Sequence, residues 1–248
     1  MRLVAHAVLG STNTEALSLA NRGERGPVWV TAERQTAGRG RRARTWISQP
    51  GNLYASLLLT APAPVERWPQ LSFVAALAIH DAVVAIAAGL APRLAIKWPN
   101  DLLLDGAKFA GILIEGQGGG DAGNAVVVGI GVNCATHPTD ADYPATDLAE
   151  ASLSPEEVFG ALSAKMLARL AQWNSGEGFS TIRAEWLARA AGLGEDVRVR
   201  LPGREITGRF EALDEAGGLR LRLPDGAVTT VAAGDVFLRT AAPAETTR

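Results

Sequence analysis

Residues 34–46 read RQTAGRGRRARTW, five arginines and two glycines within thirteen positions. What flanks this segment decides how it is read. PVWVTA at 27–32 precedes it and NLYASLLL at 52–59 follows it. Both are short apolar runs with strand-forming residues, so the arginines are placed on a loop between two strands of one sheet. Glycine lets a ligand approach the main chain closely. Guanidinium groups match carboxylate and phosphate oxygens with planar, permanent charge. So many cations on one loop repel one another unless an anion shares the site. A solvated basic patch or a nucleic-acid surface is the competing reading. Against it stand the tethering of the loop at both ends and the lack of any aromatic but Trp46.

The rest of the chain is not basic. Its 248 residues carry 24 Lys and Arg against 26 Asp and Glu, a formal charge of −2, so nothing draws the whole molecule to nucleic acid or a membrane. A hydrophobic share of 47% marks a globular chain long enough for a large and a small domain. One cysteine, Cys134, excludes an internal disulfide framework and fits a reducing compartment. The three histidines are scattered, without metal-ligand spacing, and no metal ligands are assigned. The N-terminus lacks the apolar run of a secretory signal. The apolar run 73–90 is interrupted by His80 and Asp81, which favours a buried helix over a membrane span. The expected setting is the cytoplasm, with no membrane contact.

Thr12 followed by Glu15 is a capping pattern and predicts a helix start. A long helix is predicted over 66–89. Strands are predicted over 93–98 and 101–105 around a Pro99-Asn100 turn, and over 107–116 and 125–133 around the glycine-rich segment 117–123. Residues 134–148 are polar and proline-punctuated, a loop long enough to be functional. Helices over 155–173 and 178–191 follow. Beyond Gly192 the texture changes to short strands and tight turns, the pattern of a small barrel of about five strands. The expected division is a domain over 1–192, a barrel over 193–240 and a disordered tail over 241–248. The fold class is α+β, a sheet covered on one face by helices.

Five segments in order, STNTEA (11–16), RQTAGRGRRARTW (34–46), KWPNDLLL (97–104), KFAGILIE (108–115) and GIGVN (129–133), closely resemble the catalytic core of the biotin protein ligases. That resemblance implies a class II aminoacyl-tRNA synthetase-like domain with a mixed sheet, followed by an SH3-like barrel. It implies a biotin–[acetyl-CoA-carboxylase] ligase that uses ATP and Mg2+. Biotin is first activated as biotinyl-5′-AMP and then passed to one lysine of a biotin carboxyl carrier domain. The rival of the same fold is a lipoate or octanoate ligase or transferase. A second rival is a biotin-sensing or nucleic-acid-binding module without catalysis.

By the same resemblance, Lys108, Arg39, Arg41 and Asp101 are the expected catalytic residues. Lys108 would bridge the biotin carboxylate and the α-phosphate, and Asp101 would orient or deprotonate the acceptor lysine. The biotin-binding positions are Ser11, Thr12, Asn13, Gln35, Gly38, Arg39, Gly40, Arg41, Lys108, Gly111, Ile112 and Gly129. The ATP-binding positions are Arg41, Arg44, Trp46, Asn100, Lys108, Gly131 and Asn133. Arg42 is left to solvent and Trp98 to the core. The GIGVN segment is no dinucleotide fingerprint and no Walker A sequence occurs, so the arginine loop must serve the nucleotide. Family members that repress transcription carry an N-terminal helix-turn-helix domain. Only ten residues precede STN here, so DNA binding is not expected. The 134–148 segment has no tryptophan to cover the adenine, and Tyr143 is the available substitute. The oligomeric state is open, a homodimer included.

Overall fold

In a computed structural model of the chain, which describes residues 1–118 and 124–238, the apolar runs assemble into two sheets. The tip of the glycine-rich segment and the tail 241–248 lie outside the described residues. The first sheet has seven strands: β1 (Arg2–Leu9), β2 (Val28–Gln35), β3 (Leu53–Thr60), β4 (Leu94–Lys97), β5 (Asp101–Leu104), β6 (Ala107–Gln117) and β7 (Ala125–Val132). They lie in the order β1-β2-β3-β7-β6-β5-β4. β1 runs parallel to β2 and every other pairing is antiparallel, so the sheet is mixed.

Strand alternation sorts the side chains onto two faces. On one, Trp29, Leu57, Val126, Val128 and Ile112 pack under α2 (Leu71–Ile86), α3 (Pro155–Trp173) and α4 (Phe179–Leu187). On the other, Val28, Val30, Leu58 and Val127 meet Ala16, Leu19 and Ala20 of α1 (Thr12–Asn21). Helices therefore cover both faces, not one. α1 covers only part of its face, and the uncovered remainder of β3, β6 and β7 becomes the floor of a cavity.

Among the described residues one helix is long and apolar enough to cross a membrane, Val65–Ile86, and it is spent in this core. Phe73 to Ile79 are all at most 3% exposed. The helix predicted over 66–89 is thus real, but Pro69 confines its first turn, Val65–Gln70, to a tighter 3₁₀ winding. α3 begins on a full capping box, Ser154 with Glu157, and Pro155 in its first turn. The Thr12–Glu15 pattern marks a true helix start, yet no side chain caps it. The Thr12 hydroxyl is used elsewhere. β1 was not predicted from the sequence. It is an edge strand, mostly exposed, and among the described residues its ladder is to β2 alone, so neither face carries a strong apolar alternation.

The second sheet comprises β8 (Asp196–Leu201), β9 (Arg204–Leu213), β10 (Leu219–Arg222), β11 (Val228–Val231) and β12 (Asp235–Leu238), in the order β11-β10-β9-β8-β12. The five strands are those the turn spacing predicted. Trp98 joins the two sheets. It is 2% exposed, and its indole N–H donates to the Gly217 carbonyl at 2.9 Å. Gly217, at φ +93°, lies so close under Phe73 that a side chain there would collide with the ring.

Candidate functional site

The cavity floor is built from residues that lack side chains. On β7, positions 125 and 127 of the α1 face are Ala and Val, but positions 129 and 131 are glycines. Gly131 pairs with Gly111 of β6, and Gly129 with Leu113. A Cβ at Gly131 would lie 2.6 Å from the Trp46 ring, and one at Gly129 would overlap the Asn13 carboxamide. These glycines clear a flat strip on which other groups can lie.

β6 reaches the site through a change of register. Gly111, Leu113 and Glu115 alternate onto the cavity face. Lys108 would fall on the opposite face by strict alternation. A β-bulge opposite Leu102 and Leu103 shifts the pairing, so that Asp101 faces Gly111 and Leu103 faces Lys108. The ammonium of Lys108 thereby lies beside Gly111, 3.2 Å from where its Cβ would be. It sits 2.6 Å from Asp101 Oδ1, between the rings of Trp46 and Tyr143 at 5.3 and 5.1 Å. The 134–148 loop adds to β6 at this point: Lys108 N–H donates to the Pro144 carbonyl and Thr146 N–H to the Lys108 carbonyl. That places Tyr143 over the lysine. Burial pushes the Asp101 carboxyl up, but the ammoniums of Lys108 and Lys97 outweigh it and hold it below the usual carboxylate range.

One end of the cavity is neutral and polar. Gln35 Oε1 accepts from the Thr12 N–H at 2.8 Å and its hydroxyl at 3.1 Å, while Gln35 Nε2 donates to Ser48 Oγ. The Ser56 hydroxyl lies 2.7 Å from Thr12 Oγ1 and 2.6 Å from Asn13 Oδ1, and Asn13 Nδ2 donates to Glu115 Oε2 at 2.7 Å. Ser11, Thr12 and Asn13 are each at most 5% exposed. Buried donors and acceptors with fixed angles read hydrogen-bonding pattern rather than charge.

The other end is cationic. The arginine segment forms a short hairpin: Gly40 N–H donates to the Arg44 carbonyl, Trp46 N–H to the Gly38 carbonyl, and Arg42 and Ala43 turn it with φ of 55° and 57°. Arg41 donates to Asn100 Oδ1 at 2.9 Å and to the Gly234 carbonyl at 3.2 Å. Burial lowers its pKa, with Asp235 and Asp101 opposing that effect. Arg42 and Arg44 both pair with Asp235 of β12, so the second sheet latches the loop. The Trp46 indole N–H is buried without a hydrogen-bond partner among the described residues.

The structure gathers most of the residues singled out in the sequence around this one cavity of about 90 Å³: Ser11, Thr12, Asn13, Gln35, Arg39, Gly40, Arg41, Arg44, Trp46, Asn100, Asp101, Lys108, Gly111, Gly129 and Gly131. Three placements differ. Ile112 contributes to the lining, but its side chain belongs to the core under α2, and alternation gives the cavity side to Leu113. Gly38 packs behind the wall, against Ser48 and Trp46. Asn133 is buried outside the cavity, its amide donating to the Thr146 carbonyl and tying down the 134–148 loop. Arg39 lines the cavity, yet its guanidinium forms a forked pair with Glu115 at 2.8 and 3.1 Å and donates to Thr14. Arg42, left to solvent in the sequence reading, is paired with Asp235. Leu113, Glu115, Ser56 and Asp235 were missed. The period-2 alternation of KFAGILIE carried the signal for the first two. No local pattern marked the others.

Residues 6–133 match the biotin/lipoate A/B protein ligase family, and residues 192–239 match the biotin protein ligase C-terminal domain. The chain is 46% identical over 235 residues to the biotin–[acetyl-CoA-carboxylase] ligase of Paracoccus denitrificans, covering 92% of this chain and 96% of that protein. It is 35% identical over 240 residues to the biotin–[acetyl-CoA-carboxylase] ligase of Mycobacterium tuberculosis, covering 93% and 86%. The biotin protein ligase of Aquifex aeolicus, solved in complex with biotin and ATP, superposes with a TM-score of 0.80 at 28% identity, over 97% of this chain and 99% of that one. By its catalytic core and its C-terminal sheet alike, the chain belongs to the biotin/lipoate A/B protein ligase family.

Proposed function

We propose that this protein is a biotin–[acetyl-CoA-carboxylase] ligase, joining biotin through its carboxylate to a lysine of a carrier domain at the expense of ATP. One observation carries the reading: a single cavity has a neutral hydrogen-bonding end, Thr12, Asn13, Gln35 and Ser56, and a cationic end, Lys108, Arg41 and Arg44. A neutral ureido ring suits the first. A carboxylate and a triphosphate brought together suit the second.

In the first step the biotin carboxylate oxygen attacks the α-phosphorus. The new O–P bond forms as the bond to the bridging oxygen breaks, and pyrophosphate leaves with the electron pair. Lys108 and Arg41 screen the two anions from each other and stabilise the charge that gathers between them. Magnesium, if it accompanies the nucleotide, would supply further positive charge against the phosphates beside Lys108, Arg41 and Arg44. In the second step an acceptor lysine nitrogen attacks the acyl carbon, the C–O bond to AMP breaks, and Asp101 takes the proton. The 90 Å³ cavity is smaller than the ~300–1,000 Å³ of ordinary small-molecule sites. Trp46 and Tyr143 line it, their rings 5.3 and 5.1 Å from the Lys108 ammonium.

We divide the chain at Gly192 into this catalytic unit and a C-terminal unit that latches the hairpin. We assign the reaction to the cytoplasm, in keeping with the sole cysteine, Cys134, a buried thiol pushed up to about 12 by burial. ATP–pyrophosphate exchange with biotin and with lipoate tests the reading. Exchange with biotin alone is expected; exchange supported by lipoate and not by biotin overturns it.

A further inference from the structure

Asp101 sits between two ammonium groups that differ in what they can reach. Lys108 Nζ is 2.6 Å from Oδ1 and Lys97 Nζ is 3.1 Å from Oδ2. The side chains of Asp101, Lys97 and Lys108 are 15%, 18% and 14% exposed, so water screens the trio little. Lys108 lines the cavity. Lys97 does not: it closes β4, directly across the ladder from Asp101. Arg41 is the further cation that faces Asp101, and it is held by Asn100 and Gly234 on the substrate side. Tyr143 faces Lys108 from the 134–148 loop, and Asp235 faces Arg41 from β12.

The ligase reading, on which this inference rests, requires Lys108 to turn toward the substrate anions. A buried carboxylate that loses its only cation is strongly penalised and takes up a proton instead. In the transfer step that would be fatal, because the proton of the attacking amine would have no acceptor. We infer that Lys97 is the standing countercharge of Asp101, a positioning residue that releases Lys108 to the substrate and keeps the carboxylate ready to accept the acceptor amine's proton. Two lysines on two oxygens of one carboxylate thus divide the labour, one fixed and one mobile.

The test uses the full-length protein with Lys97→Met, Lys97→Gln and Lys97→Arg. The first readout is independent of activity: the Asp101 carboxyl is titrated by 13C NMR of aspartate-labelled protein, its signal identified by its loss in Asp101→Asn. The second is the pH profile of single-turnover transfer from preformed adenylate to the acceptor domain. In Lys97→Met, or in Lys97→Gln should the first not fold, the Asp101 midpoint and the acid limb of transfer move up by about one to three pH units. Lys97→Arg restores both. A midpoint and an acid limb unchanged in the neutral variants overturn the inference, as does failure of arginine to restore them. A wild-type protein that forms no adenylate would instead refute the ligase reading, and the carboxyl titration would still decide what Lys97 does.

Discussion

Replacing Lys108 by methionine separates its chemical task from its structural one. The substitution keeps the length and apolar stem of the side chain and removes the ammonium 2.6 Å from Asp101. Breaking a buried ion pair costs about 3–5 kcal/mol when the abandoned charge has no other partner. Here Lys97 remains 3.1 Å from the other oxygen, so the loss approaches that of one charged hydrogen bond, about 1.5 kcal/mol. The catalytic loss is larger. Taking a preorganised cation away from the charge that develops in the transition state costs about 2.7–4 kcal/mol, a factor of about 10²–10³. Urea unfolding followed by circular dichroism at pH 8 measures the first quantity, and biotin-dependent ATP–pyrophosphate exchange the second. The double variant with Lys97→Met strips Asp101 of both lysines, and its stability loss should exceed the sum of the single losses by about 0.5–3 kcal/mol. A single-variant destabilisation of 3 kcal/mol or more, together with exchange reduced less than tenfold, would refute the reasoning, because Lys108 would then be a structural counterion.

Gly129→Ala should push the Asn13 carboxamide off Ser56 and Glu115, costing about 1–3 kcal/mol of stability and at least about tenfold in biotin affinity by calorimetry. Wild-type affinity would show that the polar end of the cavity is not where biotin lies. Asp235→Ala frees Arg42 and Arg44 from the second sheet; global stability should change by less than about 1 kcal/mol while trypsin cuts faster after either arginine. Equal cleavage rates contradict the latch. At Asp81, burial pushes the carboxyl up, but His80 and Arg169 bring it below its ordinary value. A depressed folded pKa stabilises the protein above the unfolded value of about 3.9 and loses that contribution as pH falls through the folded value. The stability gap between wild type and Asp81→Asn should therefore be constant above about pH 5 and shrink below about pH 4, read from urea midpoints. A gap that stays constant to the lowest pH would mean that the ion pair with Arg169 does not discriminate folded from unfolded chain.

Much of this molecule is written locally. The alternation of AVVVGIGV and KFAGILIE, the Pro-Asn turn of KWPND and the helix predicted over 155–173 are short-range readings, and each produced the expected element within a residue or two. The two glycines of GIGVN are legible as well, because only a missing side chain leaves room on a strand's buried face. Local pattern was insufficient wherever an element borrows its stability from a neighbour. β1 has little apolar alternation of its own and exists because β2 offers it a ladder. Lys108 faces the cavity because of a bulge set by its pairing with β5, which overrides the alternation that places Ile112 in the core and Leu113 at the site.

The sequence by itself determined the chemistry available at the site: a glycine-spaced run of arginines, a lysine at the start of a strand, and short polar side chains opening a helix. Only the tertiary structure decided which charge each of them meets. Arg39 is bound by Glu115, 76 residues away, and Arg42 by Asp235, 193 residues away. Lys97 and Lys108 approach one carboxylate from opposite neighbouring strands. Charge pairing is a through-space interaction over a few ångströms. Periodicity and propensity report only what a residue's own backbone and nearest neighbours prefer, so pairings across such distances in the chain become visible only once the sheet is closed and the hairpin is set against the second domain.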